Sequence, residues 1–285
     1  MSIKHGIKRK LIQAAAFGFS NFHISNFAGG KLYTGKWKNF CNPGLNCYSC
    51  PAASLACPIG ALQAVTGSRH YNFSFYVTGL ILALGVIFGR MICGFFCPFG
   101  LIQELISLIP VKKFRLPGWM TYIKYLILLI FVLLIPEAMS LLSQSQTGIP
   151  AFCEFICPAG TLEGGIPMLL THKELRDAIG PLFALKALIL AIVIIGCIFI
   201  HRFFCKTLCP LGAIYGLLNK ISILKLHVNE KSCTHCSACS LKCPMDVDPV
   251  KHPDSAECIR CLKCAEACPT HSISIKSMAK QITQQ

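Results

Sequence analysis

The sequence predicts an all-α polytopic membrane bundle, four transmembrane helices in a pseudo-two-fold repeat, followed by a small cysteine-rich C-terminal module. Three observations carry this expectation. Of the 285 residues 54% are hydrophobic and only 14% charged, the charges gathering between long apolar runs, with a mean hydropathy of +0.58. The pattern Arg-x2-Cys-x3-Cys-Pro-x-Gly occurs twice, from Arg90 and from Arg202, each time just after an apolar run. Eight of the 19 cysteines form two equal runs between Cys233 and Cys268.

The first apolar run, residues 11–28, follows Lys4, Lys8, Arg9 and Lys10. It carries no formal charge, although Gln13, Asn21, His23 and Asn26 make it polar for lipid. A signal peptide fits less well, because those residues interrupt its apolar centre and no small-residue cleavage site follows. A loop with Cys41, Cys47, Cys50 and Cys57 comes next and ends in Cys57-Pro58-Ile59-Gly60. Residues 71–89 are again uncharged, long enough to cross ~30 Å of hydrocarbon at about 1.5 Å per residue. Arg90, Cys93 and Cys97 follow, then a basic loop with Lys112, Lys113 and Arg115. The third run, about 120–140, holds Lys124 and Glu137 near its ends, where long side chains snorkel. A loop containing Cys153-x3-Cys157-Pro158-Ala159-Gly160 leads to the fourth run, 181–200, and to Arg202, Cys205 and Cys209. The surplus of positive charge at 90–115 and 202–225 places those loops in the cytoplasm and both termini with them, although Lys31, Lys36, Lys38 and Arg69 in the first outer loop pull the other way. The expected domains are residues 1–228, spanning the cytoplasmic membrane, and 229–285.

The repeat is a repeat of cysteine chemistry. Each half reads apolar helix, outer cysteines ending in Cys-Pro-x-Gly, apolar helix, then Arg-x2-Cys-x3-Cys-Pro-x-Gly. Halves of equal topology are related by an axis along the membrane normal. A Cys-x3-Cys pair puts two sulfurs on neighbouring turns, half of a four-sulfur site. Cys93 and Cys97 should therefore face Cys205 and Cys209 around one 4Fe-4S cluster at the inner membrane edge, with Arg90 and Arg202 compensating its charge. Proline after the last cysteine suits a first helical turn, and the glycine permits close approach. Buried packing cysteines are the plainer reading of the same residues. On the outer side Cys153 and Cys157 should meet Cys57, with Cys50 as fourth ligand. Cys41 and Cys47 then close a disulfide, replace Cys50, or bind another metal; disulfides alone are the alternative on this oxidising side. Cys197, inside the fourth run, reads as core. His23, Asn26 and His201 either line a quinone pocket or a haem, or satisfy one another.

The C-terminal run is Cys233-x2-Cys236-x2-Cys239-x3-Cys243-Pro244, then Cys258-x2-Cys261-x2-Cys264-x3-Cys268-Pro269. A cubane cluster needs four thiolates from different directions; two-residue gaps wrap three around one face, and the fourth must come from elsewhere. A pair of structural zincs also uses Cys-x2-Cys, but has no need of the third step or the Cys-x3-Cys-Pro end. About residues 229–275 resemble the bacterial two-cluster ferredoxin, a small α+β domain. The resemblance implies that the last cysteine of each half crosses over, giving one cluster on Cys233, Cys236, Cys239 and Cys268 and another on Cys258, Cys261, Cys264 and Cys243.

Composition and motifs exclude several functions. The formal charge of +15 invites nucleic acid, but four clusters at about −2 each would bring it to about +7, and no basic stripe with interleaved aromatics is present. The rest of the positive charge suits loops beside a bilayer. There is no Cys-x-x-Cys-His for c-type haem, no Gly-x-Gly-x-x-Gly opening a helix after a strand, and no Walker loop.

The paired Arg-x2-Cys-x3-Cys-Pro motifs followed by the eight-cysteine run resemble the NapH-type membrane ferredoxins, polytopic iron-sulfur proteins that pass quinol electrons towards periplasmic reductases; NosR- and CcoG-type proteins share the architecture. The resemblance implies four helices, 4Fe-4S cofactors, and electron exchange between a cytoplasmic donor or the quinone pool and a membrane or extracytoplasmic acceptor such as a flavoprotein, cytochrome or reductase. The extra cysteines of the first outer loop depart from the plain pattern and point to redox groups on both faces. The alternative is an assembly or metal-handling factor that reduces a copper or thiol centre in a partner. A scaffold with structural zincs is the non-redox reading.

Overall fold

In lipid, a backbone with no water to bind satisfies itself most simply as α-helix, and the chain is mostly helical. The computed structural model describes residues 3–68, 74–142, 148–177 and 179–277. Arg69 and the first residues of the 71–89 run fall outside these, as do 1–2 and 278–285 at the ends of the expected domains. The helices that place the cysteines are α1 (Ile3–Ser20), α2 (Pro58–Thr66), α3 (Ser74–Phe88), α4 (Met91–Phe95), α5 (Pro98–Ile106), α6 (Gly118–Leu142), α7 (158–171), α8 (Pro181–Phe199), α9 (Phe203–Thr207) and α10 (Pro210–Leu218). Helices α6 and α8 are long and apolar enough to cross a bilayer by length and composition, and α3 is apolar but shorter. Only 22% of the apolar window of α6 and 17% of that of α8 is buried, so most of both apolar surfaces faces outward. Leu126, Leu129, Leu188, Ile192 and Ile195 instead lie on an outer apolar surface that lipid would cover.

The first helix departs from its expected position. It runs from Ile3 to Ser20 instead of along residues 11–28, and so includes the four basic residues. Two interactions pull it there. Arg9 is buried and its charge is met by Glu104 at 2.8 Å and by the Gly94 carbonyl at 3.2 Å. At the other end Ser54 N–H donates to Ser20 O (2.9 Å) and His23 N–H to Ala52 O (3.2 Å), so residues after 20 leave the helix to pair with the outer loop.

Proline stands at the first turn of α2, α5, α7 and α10, where its missing N–H is no loss. Pro136, by contrast, lies inside α6 and leaves the Val132 carbonyl without its usual donor. The helix widens over Leu128–Leu134, and Thr66 Oγ1 of α2 donates to that carbonyl at 3.2 Å. Helix α10 packs on α2, α3 and α6, so the short helices that follow inner and outer cysteines meet inside the molecule. One apolar core runs through Leu45, Cys57, Ile59, Cys93, Cys97, Phe99, Phe152, Cys157, Phe204 and Tyr215.

The C-terminal module is framed by two antiparallel strands, β1 (Leu224–Val228) and β2 (Ile273–Ser277), with Leu226 opposite Ile275. Its frame therefore begins just ahead of the cysteine run. Two short helices, α11 (Ala238–Leu241) and α12 (Lys263–Ala267), follow the cysteine loops. The module is tied to the helices by buried polar contacts. Arg260 donates to Ser222 Oγ (2.7 Å) and Asn219 O (2.8 Å), Lys206 pairs with Asp246 at 2.5 Å, and Glu257 takes both Arg90 (2.6 Å) and Lys124.

Candidate metal centres

In the C-terminal module the chain wraps its cysteines around two hollows. One is lined by Cys233, Cys236, Cys239 and Cys268, the other by Cys243, Cys258, Cys261 and Cys264. Six non-glycine residues there have left-handed backbone, in two equivalent sets: His235, Ser237 and His271 at the first, Arg260, Leu262 and Asp246 at the second. Each such residue costs about 1–3 kcal/mol, and the curled chain turns backbone N–H groups inward as anion nests do. Among the described residues no three His, Cys, Asp or Glu side chains converge closely enough to hold a single metal ion. The sulfurs ring a space rather than meet at a point. Each hollow has a volume of ≈20 Å³, well below the few hundred Å³ of an organic cofactor's pocket. Burial opposes it, but the hydroxyls of Ser272 and Thr270 hold the Cys268 thiol down at about 7, ready to ligate.

The inner site is built by the repeat. Cys93, Cys97, Cys205 and Cys209 are all buried. Burial pushes Cys93 up to about 11 and Cys97 and Cys209 further, with Cys205 and Cys93 the like charges next to both, so the four sulfurs are neighbours. Cys97 Sγ accepts from Gly100 N–H at 3.4 Å and Cys209 Sγ from Gly212 N–H at 3.3 Å, capping α5 and α10 in the same way. The arginines cross over. Arg90 donates to Cys205 O (2.7 Å) and Arg202 to Cys93 O (2.5 Å), each reaching from its own half to the first cysteine of the other. A side chain at Gly100 would crowd Arg202, and one at Gly212 would crowd Arg90. Both guanidiniums are fully buried and paired, Arg90 with Glu257 and Arg202 with Glu104 at 2.7 Å. Against burial, Arg202 and Arg9 keep the Glu104 carboxyl at about 2. Arg202 itself has left-handed backbone, φ 53°.

On the outer side Cys57, Cys153 and Cys157 are joined by Cys47, and Cys50 stands apart. Burial pushes Cys47 and Cys157 well up; Cys157 and Cys57 add to the first, Cys153 and Cys57 to the second. Burial also raises Cys153 to about 12, with Cys57 and Cys47 beside it. Cys50 is raised to about 11 by burial, with Glu163 and Lys38 as its charged neighbours. It packs with Ala52 and Ala53, its Sγ 3.9 Å from Asn21 Oδ1. A tight turn joins the two, Cys50 N–H donating to Cys47 O at 3.2 Å. Cys41 lies beside Cys57, half-buried. Cys197 is fully buried, 3.7 Å from Gln103 Oε1, a core position as expected. His23 stacks on Tyr33 (3.9 Å) and contacts Ser54 Oγ (3.1 Å), while Asn26 donates to Pro51 O (3.3 Å). With Phe19, Phe22, Trp37 and Leu55, His23 lines an apolar cavity of ≈340 Å³; Asn26 and His201 do not.

Four residues missed by sequence reasoning stand six positions after the cysteine of each Cys-Pro-x-Gly: Gln63, Gln103, Glu163 and Tyr215. All are buried and all reach across the molecule. Gln63 Nε2 donates to Cys153 Sγ and Gln103 Nε2 to Cys205 Sγ, both at 3.1 Å. Glu163 accepts from Cys47 N–H at 2.7 Å, and burial raises its carboxyl to about 7. Tyr215 donates to Pro43 O at 3.0 Å. Superposing the four Cys-Pro-x-Gly segments would have shown a polar residue at this place each time.

Comparison with known proteins turns on these same cysteine segments. A family profile described as a 4Fe-4S binding domain matches residues 71–117, 125–170 and 182–229, and a second of that description matches 252–274. The protein MJ0750 of Methanocaldococcus jannaschii is 31% identical over 71% of this chain and 78% of its own length. The chain belongs to the NapH-type family of 4Fe-4S ferredoxins. Within the family it is 27% identical to YccM of Escherichia coli, named as an electron transport protein, over 70% of this chain and 54% of that one. It is 26% identical to MauN of Methylorubrum extorquens, a methylamine utilization ferredoxin-type protein, over 66% of this chain and 60% of that one. No solved structure matches. The family's 4Fe-4S groups fit the residues found here: hollows ringed by thiolates, sulfurs capped by N–H groups, and buried cations beside them.

Proposed function

We propose that this chain is a multi-pass protein of the cytoplasmic membrane that carries electrons between a cytoplasmic donor or the quinone pool and a membrane or extracytoplasmic acceptor. In this reading α1, α3, α6 and α8 cross the bilayer with both termini in the cytoplasm, and the C-terminal module forms a second domain from about residue 229. Four sets of cysteines hold clusters: Cys233, Cys236, Cys239 and Cys268; Cys243, Cys258, Cys261 and Cys264; Cys93, Cys97, Cys205 and Cys209; and Cys47, Cys57, Cys153 and Cys157, with Cys47 in the place first given to Cys50. When bound, such clusters take up and release single electrons.

The observation that carries this reading is the dip of the outer loop. Gly44 lies against the Cys97 backbone, Phe99 N–H donates to Leu45 O at 3.4 Å, and Tyr215 holds Pro43 from below. The loop that bears Cys41 and Cys47 thus rests on the inner site. Along α1, Arg9 at the inner site and Ser20 at the outer loop are eleven residues apart, about 16 Å at 1.5 Å per residue. That is half the ~30 Å of hydrocarbon. At the other end Ile259 O and Cys261 lie beside Gly94, so the Cys243/Cys258/Cys261/Cys264 set faces the membrane part, and the set with exposed Cys236 faces solvent. These contacts support an order of the four sets in a row. The cavity beside His23 and Ser54 is of ligand size and gives the quinone pool a place at the outer end.

The test uses the full chain in sealed vesicles with the C-terminal module inside. Reduction from inside is followed by reduction of an oxidised flavin outside or of a membrane quinone, and the anaerobically purified chain holds roughly sixteen irons with matching acid-labile sulfide. About eight irons, with no transfer to either acceptor, overturns the relay; sixteen irons without transfer favours the assembly role.

A further inference from the structure

We infer that Gln63 and Gln103 are a matched pair of potential-setting residues, each donating one side-chain N–H to a ligand sulfur of the opposite half, Gln63 to Cys153 and Gln103 to Cys205. This rests on the cluster reading above, which the iron and sulfide content of the unmodified chain tests separately.

The geometry fixes which end of each amide meets the sulfur. Gln63 Oε1 accepts the backbone N–H of Phe152 at 2.8 Å, and Gln103 Oε1 accepts that of Cys205 at 3.4 Å. A backbone N–H can only donate, so the carbonyl oxygens are committed and the NH2 groups face Cys153 and Cys205. Each NH2 is held further by its own helix, Gln63 on Ile59 O at 3.2 Å and Gln103 on Phe99 O at 3.3 Å. Both residues are 1% exposed, so water does not compete. The two environments correspond in kind, although the backbone donor is the residue before the cysteine for Gln63 and the cysteine itself for Gln103. Gln103 has one more neighbour, the Cys197 Sγ on its Oε1. Their counterparts in the second half do something else: Glu163 accepts from Cys47 N–H and Tyr215 donates to Pro43 O, so neither gives a proton to a sulfur. Each site therefore receives one such amide, always from the first half.

A donor to a ligand sulfur favours the more negative, reduced state. Hydrogen bonds to the sulfurs are among the factors that set iron-sulfur potentials. Removing the donor from a site closed to water makes that site harder to reduce and leaves the other as it was.

The experiment is a redox titration of the full chain followed by EPR, on Gln103→Leu and Gln63→Leu. Gln103→Leu moves the midpoint of the inner cluster to a more negative potential and leaves the outer one; Gln63→Leu does the reverse. A variant with full iron content and unmoved potential at its own site overturns the assignment, as does an equal shift at both sites. Should a variant lose about four irons, side-chain 15N-glutamine labelling of the unmodified chain decides. Pulsed EPR then finds a 15N coupling to each reduced cluster, and its absence overturns the proposal.

Discussion

At the scale of single residues, the inner and outer sites depend on which sulfur points where. Cys47 and Cys50 are three residues apart on one turn, yet only Cys47 lies among Cys57, Cys153 and Cys157, while Cys50 is packed with alanines. Cys47→Ser accordingly lowers the iron content by about four per chain and Cys50→Ser leaves it unchanged. Iron and acid-labile sulfide assays on the two variants check this, and the opposite result would restore Cys50 as ligand. The arginines are equally specific. Arg202 meets Glu104 through Nε and Nη2 and the Cys93 carbonyl through Nη1, a fork that a lysine ammonium cannot reproduce. Its left-handed backbone is held by those three bonds.

At the scale of elements, the loop between α1 and α2 matters most. A methyl group on Gly44 would stand 2.5 Å from Cys97 Cα and 3.0 Å from the Phe96 carbonyl, both backbone and unable to yield. Gly44→Ala therefore lifts the loop off the inner site while both cysteine sets survive. Electron delivery to an outside acceptor slows at least tenfold, and reduction of the C-terminal module by a small reductant keeps its rate. Stopped-flow spectra read the two separately, and equal slowing of both would show general damage instead. The dip of this loop was not legible in the sequence, because its polar residues, Asn42 and Asn46, hydrogen-bond to Ser20 and Asn21 of a distant segment. The register of α1 was hidden for the same reason: Arg9 reads as a charge outside the bilayer until Glu104, 95 residues on, is seen to bury it. What periodicity and spacing did reveal was whatever repeats within one segment, namely α6, α8 and the Arg-x2-Cys-x3-Cys-Pro turns. The outer set breaks the repeat, Ala53 standing where symmetry asks for a cysteine, and only folding shows that Cys47 lies beside Cys57 and Cys157.

For the whole molecule the question is what keeps the C-terminal module seated. Its acidic residues face the membrane part: Glu257 takes Arg90 and Lys124, and Asp246 takes Lys206. Arg90 and Lys124 are fully buried, and Glu257 is only 18% exposed. Burial alone would raise the Glu257 carboxyl, but Arg90 and Lys124 hold it below the usual carboxylate range, so it is a carboxylate at neutral pH. Removing its charge leaves two buried cations without a counterion, at a cost of about 3–5 kcal/mol. The pair Lys225–Asp254, at 3.2 Å with its carboxylate 40% exposed, contributes about 0–1 kcal/mol. Glu257→Gln therefore releases the module from its seat and Lys225→Ala does not. Limited proteolysis between α10 and β1, where Ile223 N–H is held on Val86 O at 2.8 Å, reads the difference. Cleavage in Glu257→Gln accelerates at least a hundredfold, since 1.36 kcal/mol is a factor of ten, and in Lys225→Ala it changes less than tenfold. Gly94→Ala reaches the same end by another route, because the added methyl would stand 2.7 Å from the Ile259 carbonyl and wedge the module away without touching any charge. If both variants are cleaved at the unmodified rate, the module is not held by this seam, and the approach of Cys261 to Gly94 loses its physical basis.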